Sequence, residues 1–138
     1  SLMSVCANNY LLLLKLQSDQ TQLDQQRHFF INDHLTYKVT VNEITRYTSL
    51  VTFEQKELAD GILPNSFHPR MTIRLYHDAR MAEVISSQDI RQVKPRYDYP
   101  NTQMHQQDEK QQINQFLNEW LHLCLQMGQV NVPMPIVK

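Results

Sequence analysis

From Leu35 onward the chain repeats one pattern four times, and that repetition limits its folds more than any other feature. Leu35, Tyr37, Val39 and Val41 alternate with Thr36, Lys38, Thr40 and Asn42. Tyr47, Ser49, Val51 and Phe53 alternate with Thr48, Leu50, Thr52 and Glu54. Met71, Ile73 and Leu75 share one face of a run ending near His77, and Met81 to Ser86 makes a fourth run. A period of two belongs to strands with one buried face. The breaks at Thr45-Arg46 and at Asp78-Ala79-Arg80 are short enough for hairpins, so these strands are expected to be antiparallel neighbours. Ile90 to Val93 is a fifth, short candidate strand.

A sheet with one apolar face needs cover, and helical spacing at both ends supplies it. Met3, Cys6, Tyr10, Leu13 and Leu14 predict a helix over Leu2 to Leu16, and Leu11, Leu12 and Leu16 widen its apolar surface. Ile113, Phe116, Leu117, Trp120, Leu121, Cys124 and Met127 form the stripe of a second helix. Asp108 is placed as its N-cap, with Gln111 in the capping-box position, and Gly128 as its C-cap. Gln17 to Gln26 and Asp60 to Pro69 read as loops, and residues 129–138, with Pro133 and Pro135, as an extended tail. The expected fold is α+β: a two-layer sandwich whose antiparallel meander of four or five strands is flanked by an N-terminal and a C-terminal helix. At 138 residues, the whole span 1–138 is read as one domain.

Several chemistries are excluded by what the chain lacks. Its only glycines are Gly61 and Gly128, which removes Gly-rich phosphate loops and Rossmann fingerprints. Nucleophile-elbow serine motifs are absent too. A net charge of -1 and a pI of about 6.6 do not suit a nucleic-acid binder or a polybasic membrane-surface protein. The apolar run Tyr10–Leu14 is far below the ~20 residues of a membrane span, and no basic segment precedes it, so a cytoplasmic protein is expected. Whether Ser1-Leu2 is native or a cloning remnant is left open. Cys6 and Cys124 sit in apolar stripes and read as buried free thiols. No cofactor and no metal site is expected.

The polar candidates lie mainly on one sheet face. Arg74, Tyr76 and Asp78 alternate opposite Met71, Ile73 and Leu75, so they point away from the helices, together with Thr48, Leu50, Thr52 and Glu54. Val84 is assigned to that outward face as well, with residues 96–101 as its cover. Arg46, Arg74 and Arg96 would converge there on a phosphate or carboxylate, with Tyr76, Tyr97 and Tyr99 adding stacking or hydroxyl donors. The competing reading is internal pairing of Arg74 and Arg96 with Asp78, Asp98 or Glu83. His77 and Asp78 form a second tier. As strand neighbours they point to opposite faces, which disfavours a shared metal, and His77 extrapolates to the core face as a hydrogen-bonded structural histidine.

Several strings carry a family resemblance: Glu43-Ile44-Thr45-Arg46-Tyr47-Thr48, Arg74-Leu75-Tyr76-His77-Asp78-Ala79, Ala82-Glu83-Val84, Arg96-Tyr97-Asp98-Tyr99-Pro100-Asn101, and Asp108-Glu109-Lys110 with Ile113-Asn114-Gln115-Phe116-Leu117. Over Met3 to about Gly128 the chain resembles the YqiB-like family, a bacterial domain of unknown function (1249). The resemblance implies a cytoplasmic bacterial protein and attaches no activity to it.

Three functional expectations follow. The first is a non-catalytic binding or regulatory module that uses the Arg/Tyr-rich sheet face for a small anionic ligand or a protein partner. The second is a hydrolase of a phosphorylated small molecule, using His77 or Asp78. The third is a structural protein that forms a homodimer through its leucine-rich first helix.

Overall fold

The sheet is a five-stranded antiparallel meander in the order β1-β2-β3-β4-β5. A computed structural model describes residues 1–17, 22–57, 68–90 and 102–129. The elements are α1 (Leu2–Leu16), β1 (Gln26–Phe30), β2 (Leu35–Ile44), β3 (Thr48–Glu57), β4 (Arg70–Tyr76), β5 (Met81–Gln88) and α2 (Thr102–Met127). The α+β sandwich expected from the alternation is therefore the observed one, with three differences in detail.

The fifth strand is β1, which starts at the last residue of the Gln17–Gln26 loop and runs through residues the alternation assigned to no element, whereas Ile90 is buried outside any strand and residues 91–93 lie outside the described residues. Helix α2 begins at Thr102, so Asp108 sits inside the helix and is not its N-cap. Val84 faces the core. The turn His77–Arg80 pairs Tyr76 with Met81, which sends Met81 and Glu83 outward and Ala82 and Val84 inward. Arg80 closes that turn with a φ of 58°, and its N–H donates to the Tyr76 carbonyl at 2.7 Å.

Both helices cover the inward face. Tyr37, Val39, Val51, Phe53, Met71, Ile73 and Leu75 meet Leu13 and Leu16 of α1 and Leu117, Trp120 and Leu121 of α2 in one buried cluster. Trp120 is its centre, with the rings of Tyr37, Phe53 and Phe116 at 5.0, 5.4 and 5.6 Å. Tilted and edge-on aromatic contacts of this kind add to the burial itself.

Helix α2 and the residues at its exit also touch both rims of the sheet, each at one position. Asn114 Oδ1 accepts the outward N–H of Val84 on edge strand β5 at 2.9 Å. At the other rim, Gln129 bridges Phe30 of β1, with N–H to O distances of 3.0 and 3.1 Å in the two directions. Fifteen residues at helical rise cover about 22 Å, and four strand spacings span about 19 Å, so one helix reaches from rim to rim. Gly128 makes the exit possible by lacking a side chain. A Cβ there would lie 2.5 Å from the Cys124 carbonyl oxygen and 3.1 Å from Phe29 Cβ.

Asparagines knit the seam between α1, α2 and β5. Asn9 and Asn114 are fully buried. Asn9 Nδ2 donates to the Asn114 carbonyl at 3.0 Å, Asn114 Nδ2 to the Lys110 carbonyl at 2.9 Å, and Asn118 Nδ2 to Asn9 Oδ1 at 2.8 Å. Buried amides are tolerated because these bonds satisfy them.

Candidate functional site

Strand register sorts the outward face into rows. Thr48, Tyr76 and Met81 form the first row, and Glu43, Leu50, Arg74 and Glu83 the second. An uncharged third row follows: Gln26, Thr40, Thr52, Thr72 and Ser86. The fourth row is His28, Lys38, Glu54, Arg70 and Gln88, and the fifth is Phe30, Thr36 and Lys56. A β-bulge between Val41 and Glu43 shifts the register, which is how Glu43 comes to share a face with Arg74.

Arg74 and Tyr76 stand on this face, as the alternation predicts, and both are half-buried. Arg74 has a carboxylate neighbour, but it is Glu43 at 3.9 Å and neither Asp78 nor Glu83. Glu83 pairs instead with Lys110 at 2.8 Å, and Asp78 Oδ1 accepts the Ala79 N–H at 2.9 Å within the turn. Arg46 is exposed on the β2–β3 turn, its guanidinium 5.3 Å above the Tyr47 ring. The His77 N–H donates to the Tyr47 carbonyl at 2.8 Å, which sets the Arg46-Tyr47 turn beside the His77–Arg80 turn. Arg96, Tyr97, Asp98 and Tyr99 lie outside the described residues.

His77 does face the helix layer. Its Nδ1 lies 3.0 Å from the Tyr10 hydroxyl, and its Nε2 lies 2.8 Å from Ser49 Oγ. In a neutral imidazole one of these nitrogens donates and the other accepts, so each hydroxyl takes the complementary role. Arg80 places its guanidinium 5.2 Å from the centre of the Tyr10 ring, on the same small assembly. Tyr10 and Ser49 carry no sequence motif. Alternation alone put Ser49 on the inward face, and nothing local tied Tyr10 to it.

At the opposite end the outward face holds a group in which, among the described residues, cations outnumber carboxylates. Lys38 lies 3.7 Å from Glu54. Arg70 and Lys56 have no ion pair among the described residues. Burial, and then the charges of Lys38 and Lys56, lower the His28 pKa, with Glu54 opposing. The His28 ring stacks with Phe30 at 6.1 Å and 21°. Thr36 is 2% exposed, and its hydroxyl has no hydrogen-bond partner. A buried unpaired hydroxyl of this kind costs about 1–3 kcal/mol.

Cys6 and Cys124 are buried free thiols. Burial pushes Cys124 up to about 12, and burial with the nearby Glu83 charge pushes Cys6 up to about 11, which disfavours thiolate chemistry at both. Among the described residues no three His, Cys, Asp or Glu side chains gather as metal ligands. Nor is any helix among them long and apolar enough to cross a membrane.

The family described as "Protein of unknown function (DUF1249)" matches residues 12–130. The chain belongs to this family. The proteins named "Uncharacterized protein YqiB" from Escherichia coli strain K12 and from Escherichia coli O157:H7 are each 56% identical to it over 98 residues. That span covers 71% of this chain and 68% of each relative. No solved structure matches it. The DUF1249 resemblance carried by the Arg74-to-Ala79 and Arg96-to-Asn101 strings is thus a family membership, and the matched DUF1249 span takes in all five strands and both contacts with the sheet rims.

Proposed function

We propose that this protein is a non-catalytic binding or regulatory module that takes an anionic ligand, or an anionic patch of a partner, on the outward face of its sheet. One observation carries this reading: Arg70 and Lys56 stand on that face without a carboxylate partner among the described residues. Among the described residues both helices pack on the inward face, which leaves the outward face for recognition. Two buried free thiols agree with a reducing, cytoplasmic setting. The test is a thermal-shift screen against phosphorylated metabolites, dicarboxylates and acidic peptides. A ligand that binds the native state raises the midpoint. A concentration-dependent rise that is lost in Arg70→Gln or Arg74→Ala, with folding intact, supports the reading. A flat screen across the panel overturns it.

A catalytic reading has one observation in its favour. Ser49, His77 and Tyr10 form a hydroxyl–imidazole–hydroxyl relay with both bonds near 3 Å, the order in which an oriented histidine activates a serine. Hydrolysis of chromogenic carboxyl and phosphate esters that disappears in Ser49→Ala and His77→Gln would favour it over the binding module. A homodimer is the third reading, supported by Met3, Leu11 and Leu14 exposed along α1. Light scattering of wild type against Leu11→Lys decides it.

A further inference from the structure

Resting on the sheet-face reading above, we propose that the Thr36 hydroxyl and the side chains of Lys56, Lys38, Arg70 and His28 form a phosphate-binding subsite at the end of the outward face remote from Arg74.

The placement follows from register. Thr36 is directly opposite Lys56 on β3 and Phe30 on β1, and the adjoining row sets His28, Lys38, Glu54 and Arg70 side by side across four strands. Directly opposed residues have Cβ atoms about 5 Å apart, and successive same-face residues along a strand are about 7 Å apart. Thr36, Lys56, Lys38 and His28 therefore border one small area, with Arg70 at its far side.

The chemistry of that area is one-sided. Among the described residues Lys38, Lys56 and Arg70 surround a single carboxylate, Glu54, leaving two positive charges. A phosphate monoester carries about −1.5 to −2 at neutral pH, which matches that excess. On the strands at the other end of the face, Arg74 meets Glu43 and Glu83 meets Lys110. The uncharged row of Thr40, Thr52 and Thr72 separates the two ends.

Two further observations point to an occupant. The Thr36 hydroxyl is buried and unpartnered on this face, and a phosphate oxygen is the acceptor it lacks. Burial first, and then the charges of Lys38 and Lys56, hold His28 toward its neutral form, with Glu54 opposing, so an added anion beside the ring would raise its pKa. Stacking on Phe30 fixes the imidazole, so that as His28 gains a proton it can donate to a bound anion.

The test is NMR of the full chain titrated with inorganic phosphate and with adenosine monophosphate, against chloride at equal ionic strength. Saturable shifts of the His28 ring and of the Thr36 and Lys56 amides are expected, together with a rise in the His28 pKa when phosphate is bound. Thr36→Val, which keeps the shape of the side chain, and Lys56→Gln should each weaken binding at least tenfold while the folded spectrum is kept. Stronger binding of the monophosphate than of inorganic phosphate would assign the group to a carried phosphate, and equal binding to free phosphate. Wild-type affinity in Thr36→Val, or no saturable shift with either probe, overturns the subsite. Saturable shifts confined to Arg74 and Tyr76 overturn the subsite but uphold the sheet-face reading, whose own failure is a flat thermal-shift panel.

Discussion

Asn114 Oδ1 accepts the main-chain N–H of Val84 at 2.9 Å, so a helix side chain satisfies one N–H of an edge strand. Asn114→Ala would leave that buried N–H without a partner. A loss of about 2 kcal/mol is expected, read as a lower urea midpoint at unchanged slope. Asn118→Ala, at a half-buried position, should cost less in the same measurement.

Thr36→Val is expected to act in the opposite direction. Removing a buried hydroxyl that has no partner should stabilise the free protein by about 1 kcal/mol, visible as a raised thermal midpoint. A stabilising change that also removes phosphate binding would identify Thr36 as a residue kept for a ligand at a cost in stability. A destabilised Thr36→Val would show that the hydroxyl has a partner after all.

The Tyr10–His77–Ser49 chain should behave as a unit. Tyr10→Phe and Ser49→Ala each delete one hydrogen bond and should each cost about 1 kcal/mol. The double mutant should depart from additivity, because both bonds terminate on one imidazole and share its single proton in the neutral form. Equilibrium unfolding of the four proteins in the cycle measures this. Strict additivity would mean that the two hydroxyls act independently.

Alkaline pH should unfold the protein through its thiols. Cys6 and Cys124 stay protonated in the folded chain to about pH 11 and 12, against an ordinary value of 9.0. Above pH 9 the unfolded chain has released those protons while the native one retains them, so stability falls as pH rises through that window. Replacing both cysteines by alanine should flatten the alkaline limb of a stability–pH curve. At pH 8 neither native thiol should react with a disulfide reagent at a rate above that of global opening.

Much of this architecture was legible in the sequence, and what was not has physical causes. Alternation placed Arg74 and Tyr76 outward and Leu75 and His77 inward, and the apolar stripe placed Trp120 over the sheet. Strand β1 was hidden because Gln26 to Phe30 offers two polar residues, a histidine and two adjacent phenylalanines, with no clean period of two. The start of α2 was hidden because Thr102 to Gln107 has no apolar stripe, so Asp108 drew attention as the first capping residue beside one. Val84 was misassigned because a hairpin's parity depends on its turn, and one residue more or less exchanges the faces of everything after it. The Arg74 end of the candidate face was visible but its pairing was not, because the Glu43–Arg74 contact depends on a β-bulge, and the Thr36 end was hidden because the isolation of that hydroxyl depends on its surroundings.

That one segment pairs with both borders of the sheet bears on how this chain would aggregate. A sheet with one unprotected border can pair with a single copy and then stops, since the pair has no border left to offer. Growth into a fibre needs two borders per molecule. Melting or clipping the chain between Asn114 and Gln129 would free a paired position on each border, Val84 and Phe30, in the same event. Damage to this one element would therefore open a place on both borders together, so that copies could add at either side without stopping at a pair.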